Sequence, residues 1–122
     1  RVDAQHLKMW EASVESAAQA AAELLRQKDR PTAVFGANDV IAAGVMKAAR
    51  RLGLRIPEDV AVVGFDDSSV CTMLEPELTS VHINCRRMGE LSVERLQALL
   101  SREEAWPMTT VVPAELKVRG ST

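Results

Sequence analysis

Apolar and polar residues recur along this chain with two periods. In "VESAAQAAAELLRQK" (Val14–Lys28), Ala17, Ala20, Ala21, Leu24, Leu25 and Lys28 fall at helical spacing, with only Lys28 polar. Ser13 stands in front as a helix N-cap, and Asp29-Arg30-Pro31 breaks the helix. "TAVFGA" (Thr32–Ala37) predicts a brief apolar strand. Val40–Leu52 returns to helical spacing behind two N-cap types, Asn38 and Asp39, and Asp39 is expected to do the capping. Gly53 sits where a left-handed C-cap belongs, and Pro57-Glu58-Asp59 predicts a turn.

"VAVVGFDDS" (Val60–Ser68) then gives a strand over Val60–Phe65 that is apolar on both faces and stops at two carboxylates. A short segment around Ser68–Leu74 leads to a strand "LTSVHI" (Leu78–Ile83) and a helix near Arg86–Leu100. Short strands are expected at Thr109–Val112 and Glu115–Arg119, and an edge strand at "HLKMW" (His6–Trp10). Strands alternating with helices of this length predict an α/β fold with an open parallel sheet flanked by helices.

In such sheets ligands gather outside the carboxyl ends of the strands. Three polar strand ends therefore mark a candidate site: Asn38-Asp39, Asp66-Asp67 and Ile83-Asn84. The residues alone leave Asp66 with two readings. It accepts hydrogen bonds from a polyol or amine, or else one Asp caps the next helix and the other is solvated. That second reading, a helix cap or a solvated carboxylate, is the expected one for Asp67.

Composition narrows the chemistry. Of the 122 residues, 47% are hydrophobic and 26% charged; aromatics are 3%, with no Tyr, which argues against a base-stacking platform. A formal charge of −2 provides no electrostatic footprint for nucleic acid. Cys71 and Cys85 form no disulfide framework or zinc spacing and fit a reducing compartment, hence the cytoplasm. No phosphate loop, nucleophile elbow or metal-ligand set occurs, so neither an enzyme nor a cofactor is expected. His82, between Val81 and Ile83, reads as a packed or surface histidine. No apolar run is long enough to span a membrane. The chain opens on Arg1 and is expected to be a piece of a longer protein.

Three motifs in fixed order carry a resemblance. "PTAVFGANDVIAAGVMKAARRLGLRIPEDVAVVGFDDS" (Pro31–Ser68), "PELTSVHINCRRMGELSVERLQALL" (Pro76–Leu100) and "VVPAELKVRGST" (Val111–Thr122) resemble the lac-repressor family of bacterial transcription regulators. Specifically, they resemble the C-terminal part of its two-lobed, type I periplasmic-binding-protein-like effector domain.

The resemblance implies a small-molecule effector such as a sugar, bound between lobes. Asn38 and Asp66 would reach the ligand. Ile83 stands where the family commonly has a ligand-facing Gln. The family's aromatic ledge falls near Ala12, with Trp10 two residues off. A homodimer is implied through this lobe, with Ala43, Lys47, Met73 and Leu74 at the interface; Met73 and Leu74 have the alternative of covering their own core. Residues 1–84 and 115–122 would form the C-terminal lobe, and 85–114 would cross to an N-terminal lobe otherwise absent. Without that lobe the chain, with its Arg86–Leu100 helix, should expose apolar surface or borrow a partner's elements. The strand of an opening β-α unit upstream of Arg1 would sit between "HLKMW" and "TAVFGA". Operator DNA would be met only by an upstream helix-turn-helix. There are two rival readings: the solute-binding protein of a sugar transporter, which shares the fold and the site edge, and an α/β enzyme using Asp66 or Asp67, against which the absent nucleophile and base weigh.

Overall fold

The computed structural model describes residues 13–101 and 108–122. Along the chain run α1 (Val14–Leu25), β1 (Ala33–Phe35), α2 (Asp39–Arg51), β2 (Ala61–Asp66), a 3₁₀ turn (Ser69–Thr72), β3 (Thr79–Ile83), α3 (Cys85–Leu100) and β4 (Ala114–Lys117). The strands form one open sheet in the order β1-β2-β3-β4, and the β1–β2 and β2–β3 ladders are parallel. The expected edge strand at His6–Trp10 lies outside the described residues.

Each helix starts and stops for local reasons. Ser13 caps α1 by accepting the Ser16 amide at 3.2 Å. Its apolar seam of Ala17, Ala18, Ala21 and Leu25 ends there, and the polar, largely exposed run Arg26–Arg30 has nothing to bury. The helix therefore stops at Leu25, short of the expected Lys28. At the other end of α2, Gly53 takes φ 73, the Gly53 amide donates to Arg50 O and the Leu54 amide to Ala49 O. That paired closure needs a left-handed residue past the helix end, which glycine supplies without steric cost.

The core lies between α2 and the strands, with α1 packed on α2. Met46, Val60, Val62 and Leu78 are fully buried, and Leu25, Val45 and a set of alanines complete the cluster. Each of the large side chains contributes roughly 1.5–3 kcal/mol by leaving water. On β2, Val62 and Gly64 are buried while Ala61, Val63 and Phe65 on the opposite face are half-buried. Small residues on both helices let α1 and α2 approach closely, and Lys47 and Arg51 of α2 both donate to Glu15 of α1, at 2.6 and 2.9 Å.

The C-terminal residues stitch the amino ends of β2 and β3. Ser121 O accepts the Val62 amide, Ser121 Oγ donates to Val62 O at 2.6 Å, and the Thr79 amide donates to Ser121 Oγ at 2.9 Å. Ser121 is fully buried, and it occupies the place beside Val62 before the β2–β3 ladder begins at Val63.

The chain divides into two compact units, with boundaries between His82 and Ile83 and between Glu115 and Leu116. The second unit holds α3 and the segment after it. Asn84 caps α3 by accepting the Arg87 amide, and none of the helix's residues is buried. Met88, Val93, Leu96, Leu99 and Leu100 are exposed, so the apolar surface expected on this helix is present. The strand expected at Thr109–Val112 does not form. Pro113, just after it, has no amide to give a ladder. Instead Met108, Thr110 and Val112 line one groove with Met88, Leu91, Ser92 and Arg95. The last strand runs Ala114–Lys117, one residue earlier than expected at its start and two at its end.

Candidate functional site

Parallel register brings the carboxyl ends of β1 and β2 to one edge of the sheet. Beyond β1, the Gly36 amide donates to Val63 O and the chain turns into α2 at Asn38. Asn38 has extended backbone (φ −152, ψ 175), and its Oδ1 accepts the Ile41 amide at 2.9 Å. The cap is therefore Asn38, not Asp39 as the sequence suggested. The remaining polar group, the Asn38 side-chain amide nitrogen, takes part in no hydrogen bond among the described residues.

Asp39 goes inward instead, with only 1% of its surface exposed. Its Oδ1 accepts the Ser80 hydroxyl at 2.5 Å, and its Oδ2 accepts the Ser68 amide at 2.7 Å. Ser80 Oγ in turn accepts the Asp67 amide at 3.1 Å. One carboxylate thus joins the start of α2, the turn after β2 and the middle of β3. Gly64 makes the space, since a Cβ there would collide with Asp39 Oδ1 and stand 3.0 Å from Leu78 Cδ2. Gly64 and Ser80 are register partners across the β2–β3 ladder.

Burial is the largest influence on Asp39 and pushes its carboxyl up. Hydrogen bonds from Ser80, Ser68 and Cys71 together outweigh it and hold the group below the ordinary carboxylate range. The neighbouring Cys71 thiol is pushed up to about 11, first by burial and then by Asp39.

The turn that Asp39 holds contains both acidic residues. Asp66 has φ 104 and Asp67 φ 54, a left-handed pair in which neither residue is glycine. Asp is among the few side chains that enter this region at modest cost, and the surrounding hydrogen bonds keep it there. Asp66 ends β2 opposite His82 and is exposed, and its carboxylate enters no hydrogen bond or ion pair among the described residues. Asp67, expected to cap the next helix or be solvated, does neither. Arg119 Nη2 donates to its Oδ1 at 2.6 Å, and His82 Nδ1 lies 3.1 Å from its Oδ2. His82 is thus a partly exposed partner of Asp67. The bond from Arg119 to Asp67 outweighs burial, which acts the other way, and raises the Arg119 guanidinium above its ordinary value.

The other expected positions fall in several places. Ile83 is the last residue of β3 and half-buried. Ala12 and Trp10 lie outside the described residues. Ala43 is buried within the chain, and Lys47 is engaged by Glu15. Met73 is 76% exposed and does not cover its own core, while Leu74 packs against the core cluster. No group of metal-ligating side chains occurs among the described residues. Ser80 and Arg119 were not singled out in the sequence. A serine within a covered strand was the available signal, because a buried hydroxyl needs a partner.

The model of the periplasmic binding protein-like domain matches residues 2–122. The chain belongs to that family. Among relatives of this periplasmic binding protein-like chain, the transcriptional repressor PurR of Vibrio vulnificus is 38% identical over 105 residues, covering 86% of this chain and 31% of that protein. A LacI family transcriptional regulator from Arthrobacter sp. FB24, solved with lactose, superposes with a TM-score of 0.81 at 35% identity. The match covers 90% of this chain and 41% of that one. The lac repressor dimer bound to operator and an anti-inducer gives 0.83 at 35% identity, over 90% of this chain and 38% of that one. The periplasmic binding protein-like region thus spans about three tenths of the length of its curated PurR relative, and its kin are LacI-family regulators rather than enzymes.

Proposed function

We propose that this chain is the effector-sensing and dimerisation region of a LacI-type DNA-binding transcription regulator. A small polyhydroxy metabolite is held at the carboxyl edge of the sheet. Asp66 accepts hydrogen bonds from ligand hydroxyls and the Asn38 amide donates one; Ile83 borders the site. The observation that carries this reading is the state of Asp66: an exposed, unengaged carboxylate at the strand end, on a backbone kept left-handed by its neighbours' hydrogen bonds. A pre-set acceptor of this kind binds without first giving up a partner. The lactose held by the Arthrobacter regulator supports a sugar-like ligand.

In this reading residues 85–114 belong to the other lobe of the effector domain, where the exposed apolar residues of α3 are covered. Met73 is the main dimer contact, with the exposed part of Leu74 beside it. Lys47, half-exposed beside Glu15, then lies at the margin, while Ala43, buried within its own chain, does not reach the partner. Operator DNA is bound by a helix-turn-helix outside this sequence, in the cytoplasm. The effector acts through its different affinity for two lobe arrangements, which the DNA-binding heads report.

The test uses the full-length regulator. Asp66→Asn and Asn38→Ala should each weaken the effector response on the order of tenfold or more while operator affinity without effector is unchanged. Titration curves that coincide with wild type in both variants would defeat the site assignment.

A further inference from the structure

Asp67 is more tightly held than a neighbour of the ligand carboxylate needs to be. Its side chain is 13% exposed, and each oxygen has its own partner: Arg119 Nη2 on Oδ1 at 2.6 Å, His82 Nδ1 near Oδ2 at 3.1 Å. A carboxylate oxygen only accepts, so Nδ1 of His82 carries the hydrogen. These partners occupy particular places in the chain. His82 is the last residue before the chain leaves the first unit, and Arg119 lies in Leu116–Thr122, the segment that re-enters it. One carboxylate therefore joins the outgoing and the returning segments.

Both ends of this clasp are anchored. Arg119 Nη1 donates to Leu78 O at 2.8 Å, and the Arg119 amide donates to Thr79 Oγ1 at 2.8 Å. On the acidic side, the Asp67 amide is held by Ser80 Oγ and the Ser68 amide by Asp39. Asp67 cannot shift without moving Arg119 and His82, and those cannot shift without pulling on the turn that carries Asp66.

We propose that Asp67 is a coupling residue, which sets the conformation of the Asp66 turn and of both crossover segments together. Its consequence for signalling rests on the reading of Asp66 as a ligand contact: a change in the turn on effector binding reaches the outgoing and returning segments at once. The clasp itself stands on the geometry alone. Coupling of this kind is reciprocal, so a disturbance at either end must register at the other.

Amide hydrogen exchange on the effector-free, full-length regulator tests it. Asp67→Asn removes the charge from the Arg119 bond and keeps the shape and the left-handed tolerance. Exchange should quicken about fivefold or more in residues 82–84 and in residues 117–119 together, the size expected when a charge-assisted hydrogen bond becomes a neutral one. Arg119→Gln should loosen the same two segments and the amides of Asp67 and Ser68. Asp59→Asn, which breaks an exposed ion pair with Arg55, should leave all of them unchanged.

Loosening of one segment only, or of neither, overturns the proposal. So does an Asp59→Asn effect of equal size, which would mark global destabilisation. If Asp67→Asn fails to fold, Arg119→Gln reads the same pair from the returning segment. No ligand enters the experiment, so it stands if the effector titrations fail, and a one-segment result sinks the clasp while those titrations hold.

Discussion

Asn38 and Asp39 are adjacent, both are good capping types, and the fold gives them opposite tasks. A cap needs extended backbone and a side chain that turns back to the helix's own amides, and Asn38 has both. The next residue is already helical, and its side chain is carried into the space above Gly64. Asp39→Ala should leave the Ser68 amide and the Ser80 hydroxyl without their acceptor, costing about 3 kcal/mol in urea unfolding. Gly64→Ala should cost a similar amount, about 2–3 kcal/mol, because the added methyl collides with the Asp39 carboxylate and crowds Leu78. Stabilities within a few tenths of wild type would contradict the role given to Asp39. Asp66 was legible in the sequence as the acidic end of a buried strand. The roles of Asp39, Ser80 and Arg119 were not legible there, because they depend on partners 29, 41 and 52 residues away. Local spacing carries no information about such pairings.

Element ends fixed by local chemistry lie where the sequence predicts them. Ser13 and Gly53 closed their helices where the sequence placed them, and the strands at β1, β2 and β3 lie at their expected places. Elements that depend on what covers them depart from expectation: Thr109–Val112 has the β-branched composition of a strand, yet it runs along α3 as irregular chain. The contact of α1 with α2 offers a test at this scale. Bonds from Lys47 and then Arg51 lower the Glu15 carboxyl to about 2 from an ordinary 4.5. A depressed folded value means the contribution is present above about pH 4.5 and is lost as pH falls through about 2. The difference in urea midpoint between wild type and Glu15→Gln should therefore be small, positive at pH 6, and vanish towards pH 2. Glu15 is exposed on the helix surface, so added salt should shrink the difference further. A difference independent of pH would show that the pair does not join the helices.

At the scale of the molecule, the sheet edge is built from side chains fixed well before any ligand arrives. Asp39, Ser80 and Gly64 hold the turn from within, and Asp67, Arg119 and His82 hold it from the crossover side, while the Asp66 carboxylate and the Asn38 side-chain nitrogen take part in no hydrogen bond among the described residues. The central claim is that these two groups meet the effector. A crystal structure of the full-length regulator, grown with a metabolite that calorimetry shows it to bind, measures this directly. The account predicts ligand polar atoms within about 3.2 Å of both an Asp66 carboxylate oxygen and the Asn38 side-chain nitrogen. A ligand seated elsewhere, with Asp66 and Asn38 still facing only water, would contradict it.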